Sequence, residues 1–273
     1  MNAASVSGGW DCHAHLFGPY ARYPLAAERS YTPPEAVLTQ YLALLKRLNL
    51  SHGVLVHPSA YGEDHALLLD VLASVPELRG VVVVRPESKL PLGKLRERGV
   101  RAARFSCRSG AALNFSGSAS LDDLLALAPS LADAGLHAEL WTDCEMLPQI
   151  APLLKQLPVQ VVIDHMGGFQ PDAGPGHPGF LALLNLLESR QTWVKICAYR
   201  NLLKTSDWEV GQAFQQALTD AAPDRLVWGS DWPHLNVSNP PDAADLLSLM
   251  QRWAGSEEMV DQILVHNPQA LYV

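Results

Sequence analysis

Apolar residues in this chain fall into two alternating patterns. Short runs rich in β-branched and apolar residues, the kind that form strands buried on both faces, recur from one end to the other. Between them lie longer stretches in which apolar positions return every three or four residues, the spacing of one helix face. The runs at residues 10–16, 53–57, 80–84, 101–105, 137–141, 159–164, 192–196 and 226–229 predict eight strands. The stretches at 64–74, 121–134, 147–156, 179–189, 207–221 and 242–253 predict helices, with a fainter pattern over 90–98 and a Ser120 cap before the second of them. The first helix is announced by Thr32-Pro-Pro-Glu35, a capping-box spacing with proline in the first turn, followed by an apolar face of Val37, Leu38, Tyr41, Leu42, Leu45 and Leu48.

Strict alternation of strands and helices means βα units around a parallel sheet, and eight such units close into a (β/α)8 barrel. A doubly wound open sheet would give the same local signals. We expect one domain spanning 1–273, within the size range of single-domain barrels. The proline- and glycine-rich stretch from Gln170 to Gly179 follows the sixth strand, so it should form a long loop over the active face.

Composition narrows the function. With 20 basic and 28 acidic residues the chain carries a formal charge of −8, and no lysine/arginine run offers the clustered cations that nucleic acid requires. A small molecule is the expected partner. No apolar run approaches the roughly 20 residues that span a bilayer, and the first residues have neither a basic nor an apolar leader region, so a cytoplasmic location is expected. Cys12, Cys107, Cys144 and Cys197 are widely spaced with no CxxC pair, which reads as reduced thiols rather than a metal knuckle or a disulfide framework. Oligomeric state is not encoded in any of these features.

Polar residues at strand ends carry the candidate chemistry. His13 and His15 stand two apart on the first strand and should face the same way. His165 ends the sixth, apolar strand, and Asp231 ends the eighth, where a buried carboxylate needs a partner or a task. All four fall at C-terminal strand ends, where barrels keep their sites. Arg101, Arg104 and Arg108 surround the fourth strand, and Arg200 follows the seventh. Arginine grips carboxylates bidentately, so Arg104 and Arg200 above all, with Arg108, could select an acidic substrate. His57, Tyr61 and His234 are further candidate substrate contacts.

The segments DCHAHLFGP, VLVHPSAYGEDH, VIDHMGG, VKICAYR, LVWGSDWPH and the closing ILVHNPQALY resemble, in order, landmarks of the amidohydrolase superfamily. The likeness is to the branch containing 2-pyrone-4,6-dicarboxylate lactonase and related lactone hydrolases of aromatic-compound catabolism, and it covers nearly the whole chain. The resemblance implies a lactonase without a cofactor, taking a small-molecule lactone to its hydroxy acid. In it Asp231 deprotonates the attacking water while His13, His15 and His165 line the site and polarise the carbonyl. One carboxylate among three imidazoles can supply the base, the oxyanion donors and the leaving-group proton. Two departures leave the substrate open among a dicarboxylated pyrone, a muconolactone-type compound and a sugar lactone. The expected later basic residue is displaced to Arg108, with Gly110 beyond it, and Gly168 stands where relatives often carry arginine.

Two rival readings remain. One is a zinc-dependent hydrolase or decarboxylase with His13, His15 and Asp231 as ligands. It lacks the usual histidine at the end of the fifth strand, since His137 sits at that strand's start, and Glu139 or His165 would have to substitute. The other is a non-catalytic barrel that only binds a small molecule, which would be expected to have lost some of the four polar residues.

Overall fold

A computed structural model describes residues 8–88, 90–109 and 114–273. The departure at Gly110 lies outside the described residues. Eight parallel strands run in chain order around the sheet: β1 (Trp10–Ala14), β2 (His52–Val56), β3 (Leu78–Val82), β4 (Val100–Cys107), β5 (His137–Thr142), β6 (Val161–Ile163), β7 (Thr192–Ile196) and β8 (Leu226–Trp228). A two-residue strand, Ala119–Ser120, adds to β4. Consecutive strands pair in order, with no reversal of the kind that defines a doubly wound sheet. The circle is drawn shut where Asp231 N–H donates to His13 O and His15 N–H to Trp232 O, both at 2.8 Å. The protein is a (β/α)8 barrel.

The intervening helices are α1 (Leu38–Arg47), α2 (Ala66–Ser74), α3 (Leu92–Glu97), α4 (Leu121–Asp133), α5 (Leu147–Leu154), α6 (Pro178–Glu188), α7 (Gly211–Ala221) and α8 (Ala243–Ala254). Their apolar stripes pack on the outward residues of the strands in one continuous core. Ser120 caps α4 as predicted, in a reciprocal pair with Asp123. The start of α1 differs from the sequence expectation: Glu35 is drawn away to accept from Tyr20 N–H at 2.6 Å, and the helix begins three residues later, where the Gln40 side chain accepts from Val37 N–H.

The barrel interior is filled from below. Trp10, Cys12, Val54, Val56, Val81, Ala102, Val162, Trp193 and Val227 form an inner cluster with Tyr272, which comes from the terminal helix Asn267–Tyr272 and plugs the N-terminal end of the barrel. Asn267 fixes that helix by donating to Pro223 O and Leu226 O. The His13, His15, His165 and Asp231 side chains therefore lie above this apolar cluster, toward the C-terminal mouth.

Candidate active site

Strand alternation alone would not bring both histidines inward. Trp10 and Cys12 already face the interior, so an unbroken β1 would send His13 outward with Asp11. The pairing of β1 with β2 slips between Asp11 and Ala14, and this irregularity turns His13 and His15 in together. Asp11 stays outside and locks the turn, accepting from Ser230 N–H at 2.8 Å, Ser230 Oγ at 2.6 Å and His13 N–H at 3.2 Å. Gly229 gives the room: a Cβ there would stand 2.5 Å from His13 Cβ.

The result is a convergent set. The Nε2 atoms of His13 and His15 are 3.3 Å apart, and Asp231 Oδ1 lies 3.3 Å from His15 Nε2 and 3.7 Å from His13 Nε2. The His165 ring centroid is 5.0 Å from that of His13. Both Asp231 (φ 57°) and His165 (φ 51°) sit in left-handed backbone, which is uncommon away from glycine and gathers at functional turns. Asn201 Nδ2 holds the His165 turn by donating to its carbonyl at 2.9 Å.

Asp231 is asymmetric. Its Oδ2 accepts from Tyr199 OH at 2.7 Å and from Arg200 Nε, whereas Oδ1 is buried with no hydrogen-bond partner. Burial alone would raise its pKa, but the Arg200 guanidinium holds it well below the usual carboxylate range. Burial keeps two of the imidazoles neutral: His13 is pushed down to about 4, helped by the nearby Lys195, and His165 well below the ordinary histidine value.

Beneath the histidines lies a fully buried ionic layer. Lys195 Nζ donates to Glu139 Oε2 at 2.5 Å and stands 3.4 Å from Asp164 Oδ1 and 3.2 Å from His13 Nδ1. Tyr272 OH donates to Glu139 Oε1 at 2.9 Å, and Arg104 Nε to Asp164 Oδ2 at 2.9 Å.

His15, Arg104, His165 and Asp231 line a cleft with about 630 Å³ of empty space, open mouth included, and His13 lies buried beneath them. Every strand or the loop after it contributes to the wall, through His15, His57, Val83, Arg104, Trp141, His165, Arg200 and Asp231 in strand order. Arg108 is not itself a lining residue; it stacks behind two that are, Trp141 at 4.1 Å and Phe115 at 5.7 Å. Residues 114–118 roof one side and are pinned there: Ser116 N–H donates to Ser30 Oγ, Arg85 Nη2 to Ser118 O, and Gly117 (φ 86°) passes so close to Ser59 O that a Cβ would meet it at 2.3 Å.

Several expectations shift. The Gln170–Gly179 stretch lines no part of the cleft; it packs on the loop after β5, where Gln170 Nε2 donates to Glu145 Oε1. Tyr61 is off the cleft, its hydroxyl accepting from Gly18 N–H. His234 is also off the cleft, bonded to Ser230 O beneath the Tyr199 ring. His57 reaches the wall, but its Nε2 is tied to Gly62 O. Arg101 lies at the opposite end of the barrel, donating to Tyr272 O. His137 is there too, beside Tyr272. Sequence reasoning gave no role to Lys195, Tyr199, Tyr31 or Trp141; for Lys195, a lone lysine inside an apolar strand was the available signal.

A closed parallel barrel with imidazoles and a carboxylate gathered at its C-terminal mouth defines a class of small-molecule enzymes. The chain belongs to the Amidohydrolase family, whose model matches residues 10–273. It is 32% identical to 4-sulfomuconolactone hydrolase of Hydrogenophaga intermedia, covering 97% of this chain and 88% of that one. It is 30% identical to 2-pyrone-4,6-dicarboxylate hydrolase of Comamonas testosteroni over 97% of this chain and 90% of that one. Among solved structures, an Acinetobacter baumannii protein with citric acid bound superposes with a TM-score of 0.82 at 26% identity, covering 97% of this chain and 99% of that one.

Proposed function

We propose that this protein opens the ring of a carboxylated lactone, with Asp231 as the base that activates water and no bound metal. The observation that carries the reading is the divided carboxylate. Oδ2 is held by Tyr199 and Arg200, and Oδ1 is ionised and without a hydrogen-bond partner at the cleft. A water in the cleft can donate one hydrogen to Oδ1, beside His15, whose Nδ1 lies 2.8 Å from Val56 O and gives its proton to that carbonyl. As the water oxygen attacks the lactone carbonyl carbon, its proton passes to Asp231. His165, which lines the cleft, polarises the carbonyl oxygen, with His13 buried behind it. When the ring C–O bond breaks, Asp231 returns the proton to the leaving oxygen, giving the hydroxy acid.

Charge supports an anionic substrate. Among the residues that line the cleft the charged groups are the cations of Arg104 and Arg200 against the carboxylate of Asp231, an excess of one positive charge. The relatives' names point the same way, toward sulfonated and carboxylated lactones. A site that already pairs Asp231 with arginine has little need of a divalent cation, although ligand atoms of His13, His15 and Asp231 do lie within 4.8 Å of one another.

A panel of pyrone, muconolactone and aldonolactone substrates tests the reading, with Asp231→Asn alongside. The asparagine keeps the shape and loses the base, so the rate should fall at least about 10²-fold. No hydrolysis of any carboxylated lactone, or near-normal turnover by Asp231→Asn, would refute it.

A further inference from the structure

We propose that Lys195 is a positioning residue that fixes His13 with its proton on Nε2, directed at His15, and so closes the His13–His15 pair to a metal ion. This rests on the reading of Asp231 as base and extends it to a residue below the cleft.

Three acceptors ring the Lys195 ammonium: Glu139 Oε2 at 2.5 Å, His13 Nδ1 at 3.2 Å and Asp164 Oδ1 at 3.4 Å. An ammonium has three hydrogens and no lone pair, so an imidazole nitrogen facing it must be the bare one. A neutral ring with bare Nδ1 carries its hydrogen on Nε2. That hydrogen points toward His15 Nε2, 3.3 Å away. His15 is fixed the opposite way by Val56 O. The two rings therefore meet as donor and acceptor, His13 Nε2–H facing the bare Nε2 of His15, with Asp231 Oδ1 beside both.

The same arrangement disfavours zinc. A histidine that ligates through Nε2 normally donates its Nδ1–H to a carboxylate or carbonyl. His13 Nδ1 instead meets a donor, and a ring giving lone pairs to both Lys195 and a metal would have to lose its last proton. Asp164 Oδ1, 3.4 Å from the same Nδ1, is the acceptor that could take over if the lysine were gone.

Two measurements test this without any lactone, so a failed substrate screen leaves them interpretable. In uniformly 15N-histidine-labelled protein, with His13 assigned by the loss of its signals in His13→Gln, the wild type should show an unprotonated Nδ1 and a protonated Nε2. Calorimetric titration with Zn2+ should show Lys195→Met binding the ion at least about ten-fold more tightly than the wild type, the scale on which outer ligand partners act. Should that variant fail to fold, Lys195→Met/Glu139→Gln removes one charge of each sign and carries the same expectation. A protonated Nδ1 in the wild type overturns the proposal, as does a folded variant whose zinc affinity rises less than ten-fold.

Discussion

The arginines in and beside the cleft do not play equal parts. Arg104 and Arg200 are tied by Nε to Asp164 and Asp231, so each supports the catalytic layer as well as facing the substrate. Arg108 rests on aromatic faces instead. Arg108→Ala should therefore raise KM about ten-fold, the worth of one charged hydrogen bond, with kcat unchanged. Steady-state kinetics on the best lactone would show this, and a loss confined to kcat would contradict it. Arg200→Ala should behave differently. Arg200 is the main charge that holds Asp231 ionised against burial, so without it the carboxylate takes up a proton at higher pH. The acid limb of the kcat/KM profile should move to higher pH, and an unmoved limb would mean that Arg200 does not set the charge of the base. The four central residues were legible from the sequence because each ends an apolar strand. Tyr199 and Lys195 were not, because what makes them matter is a partner 32 or 182 positions away.

Among the elements, β1 and β8 show how a local irregularity creates the site. The order of strands and most helix spans could be read from hydrophobic periodicity, since parallel strands buried on both faces leave an unmistakable apolar run. The slip between Asp11 and Ala14 could not, because period-two reasoning assumes that every residue turns its side chain over. The HxH spacing gave the right answer, that the two imidazoles meet, by a route the strand does not follow. Gly229 is the counterpart of that slip on β8's side. In Gly229→Ala the new methyl must displace His13, with an overpacking penalty of about 1–3 kcal/mol. Because sub-ångström placement of reacting groups governs rate, kcat should fall by about 10²-fold while the barrel still folds. Thermal melting together with kcat would test this, and unaltered turnover would mean that His13 tolerates a shift. The Gln170–Gly179 loop was misplaced because composition marks a loop without saying which neighbour it packs on.

For the molecule as a whole, the buried neutral histidines make acid a strong perturbant. His13 is lowered to about 4 and His57 to about 3, and His65, His137 and His165 are lowered as well, in each case first by burial. Below pH 6.5 the unfolded chain binds protons that the native state refuses, so stability falls as pH drops from about 6.5 toward 4. His13 alone accounts for on the order of 3 kcal/mol over that window. Asp11, raised to about 6 by burial, works in the opposite direction and offsets nearly all of one such histidine. Glu139, lowered to about 2 by Lys195 against the effect of burial, adds its loss only below pH 4. Melting temperature should thus decline steeply between pH 6.5 and 4.5, and a flat profile across that range would show the histidines to be less buried than described. The seam between β1 and β8 has a bearing on biogenesis as well. Its hydrogen bonds join His13 and His15 to residues more than 215 positions later, and Asp231 belongs to the later side. During synthesis on a ribosome the histidines emerge more than 215 residues before the carboxylate they meet across that seam. The set of His13, His15 and Asp231 is therefore complete only once the seam between β1 and β8 has closed, so turnover can serve as a readout of that closure.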